Sequence, residues 1–201
     1  MRYVDVQGKY IDIYYNDKNN KAQVYRFTGK GGETKIPNNK FIKDFINAYN
    51  YDVKNGGGDN LRAAAKSTEV AVNIIQTNGE SKNTDYIKGG QTLNFVEWNT
   101  TKGLKTTEGF NMSPATILEH EVDHALREET DLKNSDLKQF NSDSEKGSDQ
   151  QYETKEERRV EEGSEAKTAH SNGEFPKGYI RQNHKGTFFP TTSVTSNKEN
   201  E

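Results

Sequence analysis

Residues 119–124 read EHEVDH, and this one turn holds His120, Glu121 and His124, two of the four histidines in the chain. On an α-helix, side chains four apart project from the same face. Two imidazoles so placed clamp a divalent metal, and the glutamate beside them stands where it can take a proton from a water. The spacing predicts metal-assisted hydrolysis, with His120 and His124 as zinc ligands and Glu121 as general base. A catalytic zinc takes a third protein ligand and keeps its fourth position open. No HxxGxxH continuation is present, because His124 leads into ALREETDLKNSD. The third ligand is therefore expected to be a carboxylate from a later helix. The acid-rich stretch around EERRVEEGSE offers Glu153, Glu156, Glu157, Glu161 and Glu165. Composition does not choose among them, and most are expected to be ordinary solvated carboxylates. Glu119 and Asp123 are expected at the surface or behind the ligands, not on the metal.

These residues need elements to hold them. Ser113 suits an N-cap and Pro114 the first helical position, so a helix is expected to start there. Leu118, Val122, Ala125 and Ala115 gather on an arc away from the histidines. That arrangement lets one face pack on a core while the other looks into a cleft. Upstream, YVDV, YIDIYY and QVYRFT alternate apolar and polar residues and read as a small antiparallel meander. Phe41, Ile42, Phe45, Ile46 and Tyr49 come next at helical spacing. NGGGDN reads as a turn between helices, LRAAAKS as a short helix, and EVAVNIIQT as a strand. TLNFVEW is a further strand, with Leu93, Phe95 and Glu97 on one face, and could serve as an edge to which an extended substrate adds. Residues 130–155 are polar and read as a long loop. TKEERRVEEGSEAKTAH returns to a helical pattern that Gly163 could interrupt. YIRQN and GTFF read as paired short strands, and residues 191–201 as a disordered tail.

Composition narrows the alternatives. The chain has 201 residues, of which 29% are hydrophobic, but ten Tyr, nine Phe and one Trp can still build a compact core. A net charge of −3 gives no reason to expect nucleic acid or an anionic membrane as partner. With no cysteine, disulfide staples, thiolate metal sites and thiol nucleophiles are all excluded. MRYVDVQGKYIDIYYN lacks the basic and apolar regions of a signal peptide, and no run approaches a membrane span.

HEVDHALRE, EERRVEEG and RQNH together resemble the catalytic set of the NleD-like zinc metallopeptidases, bacterial effector proteases, and more distantly that of the clostridial neurotoxin light chains. In those families an HExxH helix precedes a Glu-Glu-x-Arg segment whose second Glu binds zinc, and later an Arg-x-x-Tyr pair stabilises the transition state. The resemblance implies Glu157 as third ligand, with Arg159 matching the arginine that comes after it. It puts Arg181 and His184 at the Arg-x-x-Tyr positions, His184 standing where the relatives carry Tyr. IPNNKFIKDFINAYNYDVKNGGGDN, LKTTEGFNMSPATILEHEVDHA and GEFPKGYIRQNHKG also resemble toxin domains at the C-termini of Rhs-type secreted proteins. That likeness implies delivery into a target cell by a specialised secretion system, and a cognate immunity protein in the producer.

The resulting expectation is a single α+β, zincin-like domain over residues 1–190. It would have a small antiparallel sheet, an HExxH active-site helix and a second, ligand-bearing helix. It is expected to act as a monomer that carries one Zn²⁺ per chain and hydrolyses peptide bonds in a target-cell protein. A zinc-stabilised toxin or binding domain without proteolysis, and a zinc hydrolase of a non-peptide amide, remain open alternatives.

Overall fold

The computed structural model describes residues 10–29, 35–68, 71–88, 91–134 and 137–200. The strand expected at YVDV lies outside them. Strands β1 (Ile11–Asn16) and β2 (Ala22–Phe27) form an antiparallel hairpin. The Asp17 carboxylate closes its turn by accepting the backbone N–H groups of Asn19 and Lys21. Helix α1 (Lys40–Asn55) begins at Asn39, whose side chain accepts the Ile42 N–H. It buries Phe41, Ile42, Phe45, Ala48 and Tyr49, in keeping with the apolar stripe of its sequence.

NGGGDN turns α1 into helix α2 (Asp59–Lys66). A Cβ on Gly57 would stand 2.8–2.9 Å from atoms of Thr168, and Gly58 holds a left-handed φ of 66°. Both positions therefore need glycine.

Strands β3 (Val72–Gln76), β4 (Lys82–Lys88) and β5 (Gln91–Trp98) complete a five-stranded sheet of order β2-β1-β3-β5-β4. β3 runs parallel to β1 and to β5, whereas β2 and β4 are antiparallel to their neighbours. The sheet is mixed, where the sequence pattern predicts a small antiparallel one. Alternation fixes which residues share a face but not strand direction, and the helical connection between β1 and β3 is what permits parallel pairing. β5, expected as an edge, is an inner strand, and β4 forms the edge.

Helix α3 (Pro114–Lys133) packs with α1 and α2 on this sheet. Leu118, Val122 and Ala125 enter one apolar core with Ile13, Phe45, Ile74 and Trp98. Ser113 caps α3 through the Thr116 N–H, and Trp98 donates its indole N–H to the Pro114 carbonyl at 2.8 Å. The start of the helix is thus locked to the sheet. A second, three-stranded sheet joins β7 (Asn111–Met112), β6 (Lys102–Thr106) and β8 (Gly186–Pro190), in that order. It covers a smaller core of Leu104, Met112, Ile117, Ala169 and Phe175.

Three further expectations change. The polar stretch 130–155 is not one loop: α3 continues to Lys133, and helix α4 (Leu137–Asp143) comes after it. Phe140 and Tyr152, isolated aromatics in a polar run, are both buried and anchor the segment. YIRQN is not a strand, and GTFF, within β8, pairs with β6 instead. Residues 191–200 are fastened to the domain rather than disordered. Val194 joins the main core, and its carbonyl accepts the Ala115 N–H at 2.9 Å. Among the described residues no helix is long and apolar enough to cross a membrane.

Candidate metal centre

Two helical segments meet at the site. From α3, His120, Glu121 and His124 turn away from the core, all three at most 8% exposed. The other segment opens with α5 (Lys155–Val160), capped by Thr154, whose hydroxyl accepts the Glu157 N–H at 2.9 Å. It widens into a π-helical turn at Glu161–Glu165 and closes as α6 (Ala166–Ser171). Gly163, a poor helix former, sits in that wide turn. Glu161 and Glu165, the first and last residues of that turn, both face the site.

The Nε2 atoms of His120 and His124 are 3.1 Å apart. Glu157 Oε2 lies 3.2 Å from the first and 3.4 Å from the second. The other ring nitrogens are already engaged: His120 Nδ1 is 2.8 Å from Glu165 Oε2, and His124 Nδ1 is 3.1 Å from Glu156 Oε1. Each Nδ1–H therefore donates to a carboxylate, so it is the two Nε2 atoms, facing one another and the Glu157 oxygen, that a metal takes once their protons are displaced. Three electron-rich atoms converge on one point, a placement that a cation satisfies. Ligands about 2.1 Å from a metal stand about 3.4 Å apart at the tetrahedral angle and about 3.0 Å apart at a right angle. The spacings found here, 3.1–3.4 Å, fall in that range. Glu157 Oε2 is also buried with no hydrogen-bond partner among the described residues. His120, His124 and Glu157 are positioned to hold a metal ion.

The surroundings set the protonation. Burial would lower both imidazoles, but the carboxylates outweigh it. Glu156 and Glu157 raise His124 to about 9, and Glu157 with Glu165 raises His120 well above its usual value. Burial would likewise raise Glu157, yet its contacts with three histidines hold it far below the usual carboxylate range. Without metal the triad thus holds protons that an incoming cation must displace. Glu121 is different: burial raises its carboxyl, and the neighbouring histidines only partly offset this. Its carboxyl lines the cleft with the three converging atoms, where a group that takes and returns a proton is needed.

Glu156, expected among solvated carboxylates, is buried and held to about 2; burial works against this, but contacts with His124 and Arg159 prevail. Arg159 donates to it at 2.7 and 3.0 Å and to Asp123 at 2.8 Å, and Arg127 pairs with it from α3. Glu161 and Glu165 are also buried; Glu153 is the exposed member of the candidate group. The signal for Glu161 and Glu165 is their spacing, four and eight residues after Glu157, which repeats one helical face. Glu119 is not at the surface but fully buried. Its carboxylate accepts the Asn60 and Leu61 N–H groups at 2.8 and 2.9 Å, capping α2 in place of Gly58, which offers no side chain.

Arg181 and His184 come to the same place by different routes. Arg181 is 2% exposed. Its Nη1 lies 3.1 Å from Glu165 Oε2 and 3.4 Å from Glu161 Oε1, and Nη2 donates to the His184 carbonyl at 2.6 Å. Its charge is committed to the wall of the site, while Nε has no hydrogen-bond partner among the described residues. His184 is partly exposed, with Nδ1 2.8 Å from Glu161 Oε1 and 3.2 Å from Glu157 Oε2. Glu157 and Glu161 raise it to about 9 against the opposite pull of burial.

The centre opens into a cleft of about 650 Å³. Ser81 and, on the β4 edge, Lys82 and Asn83 line it, as do Leu104, Met112 and Phe188. No family model matches the chain, and no curated protein or solved structure matches it.

Proposed function

We propose that this domain is a zinc metallopeptidase of zincin-like build, with the catalytic set of the NleD-like effector proteases that its motifs resemble. One observation carries the reading: two imidazole Nε2 atoms and a buried carboxylate oxygen converge with metal-ligand spacing in a cleft that Glu121 also lines without joining the converging group. A structural zinc site has no need of that fourth residue or of an open cleft.

Zn²⁺ bound by His120, His124 and Glu157 would supply Lewis acidity toward a water and the scissile carbonyl. Glu121 takes the proton of the attacking water and passes it to the leaving nitrogen. Glu156 and Glu165 hold the two histidines in the tautomer that presents Nε2. His184, partly exposed at the cleft, is the donor best placed for charge developing on the carbonyl oxygen. Arg181 supports it by holding the His184 carbonyl and the Glu165 carboxylate. β4 is antiparallel at the sheet edge and lines the cleft, so an extended peptide could add to it by backbone pairing. The substrate class is therefore a protein segment in extended form, in keeping with an effector delivered into another cell and restrained in its producer by an immunity protein.

The test is incubation of the zinc-loaded domain with a lysate of candidate target cells and mapping of new protein N-termini. New termini absent from the Glu121→Gln control support the reading. Zinc-loaded protein that produces none in any lysate, yet still poisons cells, would favour a toxin acting by occupancy.

A further inference from the structure

A second group of ligand atoms adjoins the first. Glu157, Glu161 and His184 bring two carboxylates and an imidazole within 4.8 Å of one another. Glu157 Oε2 belongs to both groups, since it lies 3.2 Å from His120 Nε2 and 3.2 Å from His184 Nδ1. We propose that Glu157, Glu161 and His184 form a second, weaker divalent-cation site that shares Glu157 with the first.

Two observations support this site. A ring nitrogen carries at most one hydrogen, yet His184 Nδ1 faces two carboxylates, at 2.8 and 3.2 Å, and cannot satisfy both fully. A cation seated among the three atoms contacts all of them, and His184 Nδ1 stands from the two oxygens at close to the ~3.0 Å of ligands at right angles on a metal. Next, Glu161 is fully buried and its Oε2 has no hydrogen-bond partner among the described residues. Two ions that share one carboxylate oxygen stand ~3.5–4 Å apart, the spacing of two-metal hydrolase sites. Both ions would be hard-to-borderline divalent metals suited to nitrogen and oxygen donors, zinc first among them.

This inference rests on the metal reading of the first site only through the shared Glu157, and one experiment separates the two. Metal-free full-length protein is titrated with ZnCl₂ by calorimetry, and bound metal is counted after equilibrium dialysis. The wild type should bind two equivalents, the second at least ~10-fold more weakly, because a partly exposed His and a shared ligand make the poorer site. Glu161→Gln and His184→Ala should each weaken the second equivalent by ~10-fold or more and keep the tight one. The double variant His120→Ala with His124→Ala should lose the tight one. A wild type that stops at one equivalent overturns the second site, as does a second equivalent that survives in either single variant. If Glu161→Gln does not fold, His184→Ala decides alone. If the tight equivalent survives in the double-histidine variant, the first site is wrong whatever the second does.

Discussion

Glu165 Oε2 meets His120 Nδ1 at 2.8 Å across 45 residues of sequence, from the last residue of the π-helical turn Glu161–Glu165. Through this contact and its counterpart, Glu156 on His124, one helical segment supplies both a ligand and the orientation of the other two ligands.

The metal should depend on the triad. One zinc should survive desalting at neutral pH in the wild type and be lost when His120 and His124 are both replaced by alanine. Glu121→Gln should retain it and lose hydrolysis, because the amide keeps the shape and removes the base. Elemental analysis beside a cleavage assay checks this, and undiminished cleavage by Glu121→Gln would end the mechanism.

The carboxylates should separate by affinity. Glu156→Gln and Glu165→Gln remove a contact behind a ligand and should weaken zinc ~10- to 100-fold, whereas Glu157→Ala removes a ligand and should cost more. Chelator competition gives the order. A smaller loss for Glu157→Ala than for Glu165→Gln would mean that the third ligand is misassigned.

Arg181→Ala should act mainly on the fold of the site. Leaving Glu161 and Glu165 without their partner should destabilise the protein by ~3–5 kcal/mol, visible in urea unfolding. His184→Ala, at a partly exposed position, should leave stability nearly unchanged and reduce turnover. A fully stable Arg181→Ala protein that has lost only turnover would restore the arginine to the role its motif implies, direct stabilisation of the oxyanion.

Glu174 gives a pH dependence away from the metal. Burial raises its carboxyl to about 7 in the folded protein, against an ordinary value of 4.5. The folded state therefore binds its proton more tightly than the unfolded chain does. That contribution is complete below about pH 4.5 and is lost as pH rises through about 7. Glu174→Gln should remove this part of the slope and gain up to ~3 kcal/mol relative to wild type above about pH 7. Thermal melts of both proteins across that range compare the two; parallel curves would refute it.

The parts of the site that obey a local rule can be read from residue order alone. A four-residue spacing puts His120 and His124 on one helical face whatever surrounds them, and Ser113–Pro114 starts that helix by its own capping chemistry. The apolar stripe of α1 and the Gly57–Gly58 turn were legible for the same reason. Tertiary structure decided whatever depends on partners distant in sequence. It made the sheet mixed and moved the edge from β5 to β4, because alternation is blind to strand direction and order. It buried Glu119, Glu156, Glu161 and Glu165, because an ionised carboxylate is stable in the interior where N–H groups, imidazoles or guanidinium groups meet it, and most of those come from other elements. It fastened the C-terminal residues through Val194, whose apolar side chain found the core at the start of α3. The Glu157 oxygen beside the two Nε2 atoms belongs to this second kind. Composition left five acids open, and only the packing of α5 against α3 brought one of them to 3.2 and 3.4 Å from the histidines.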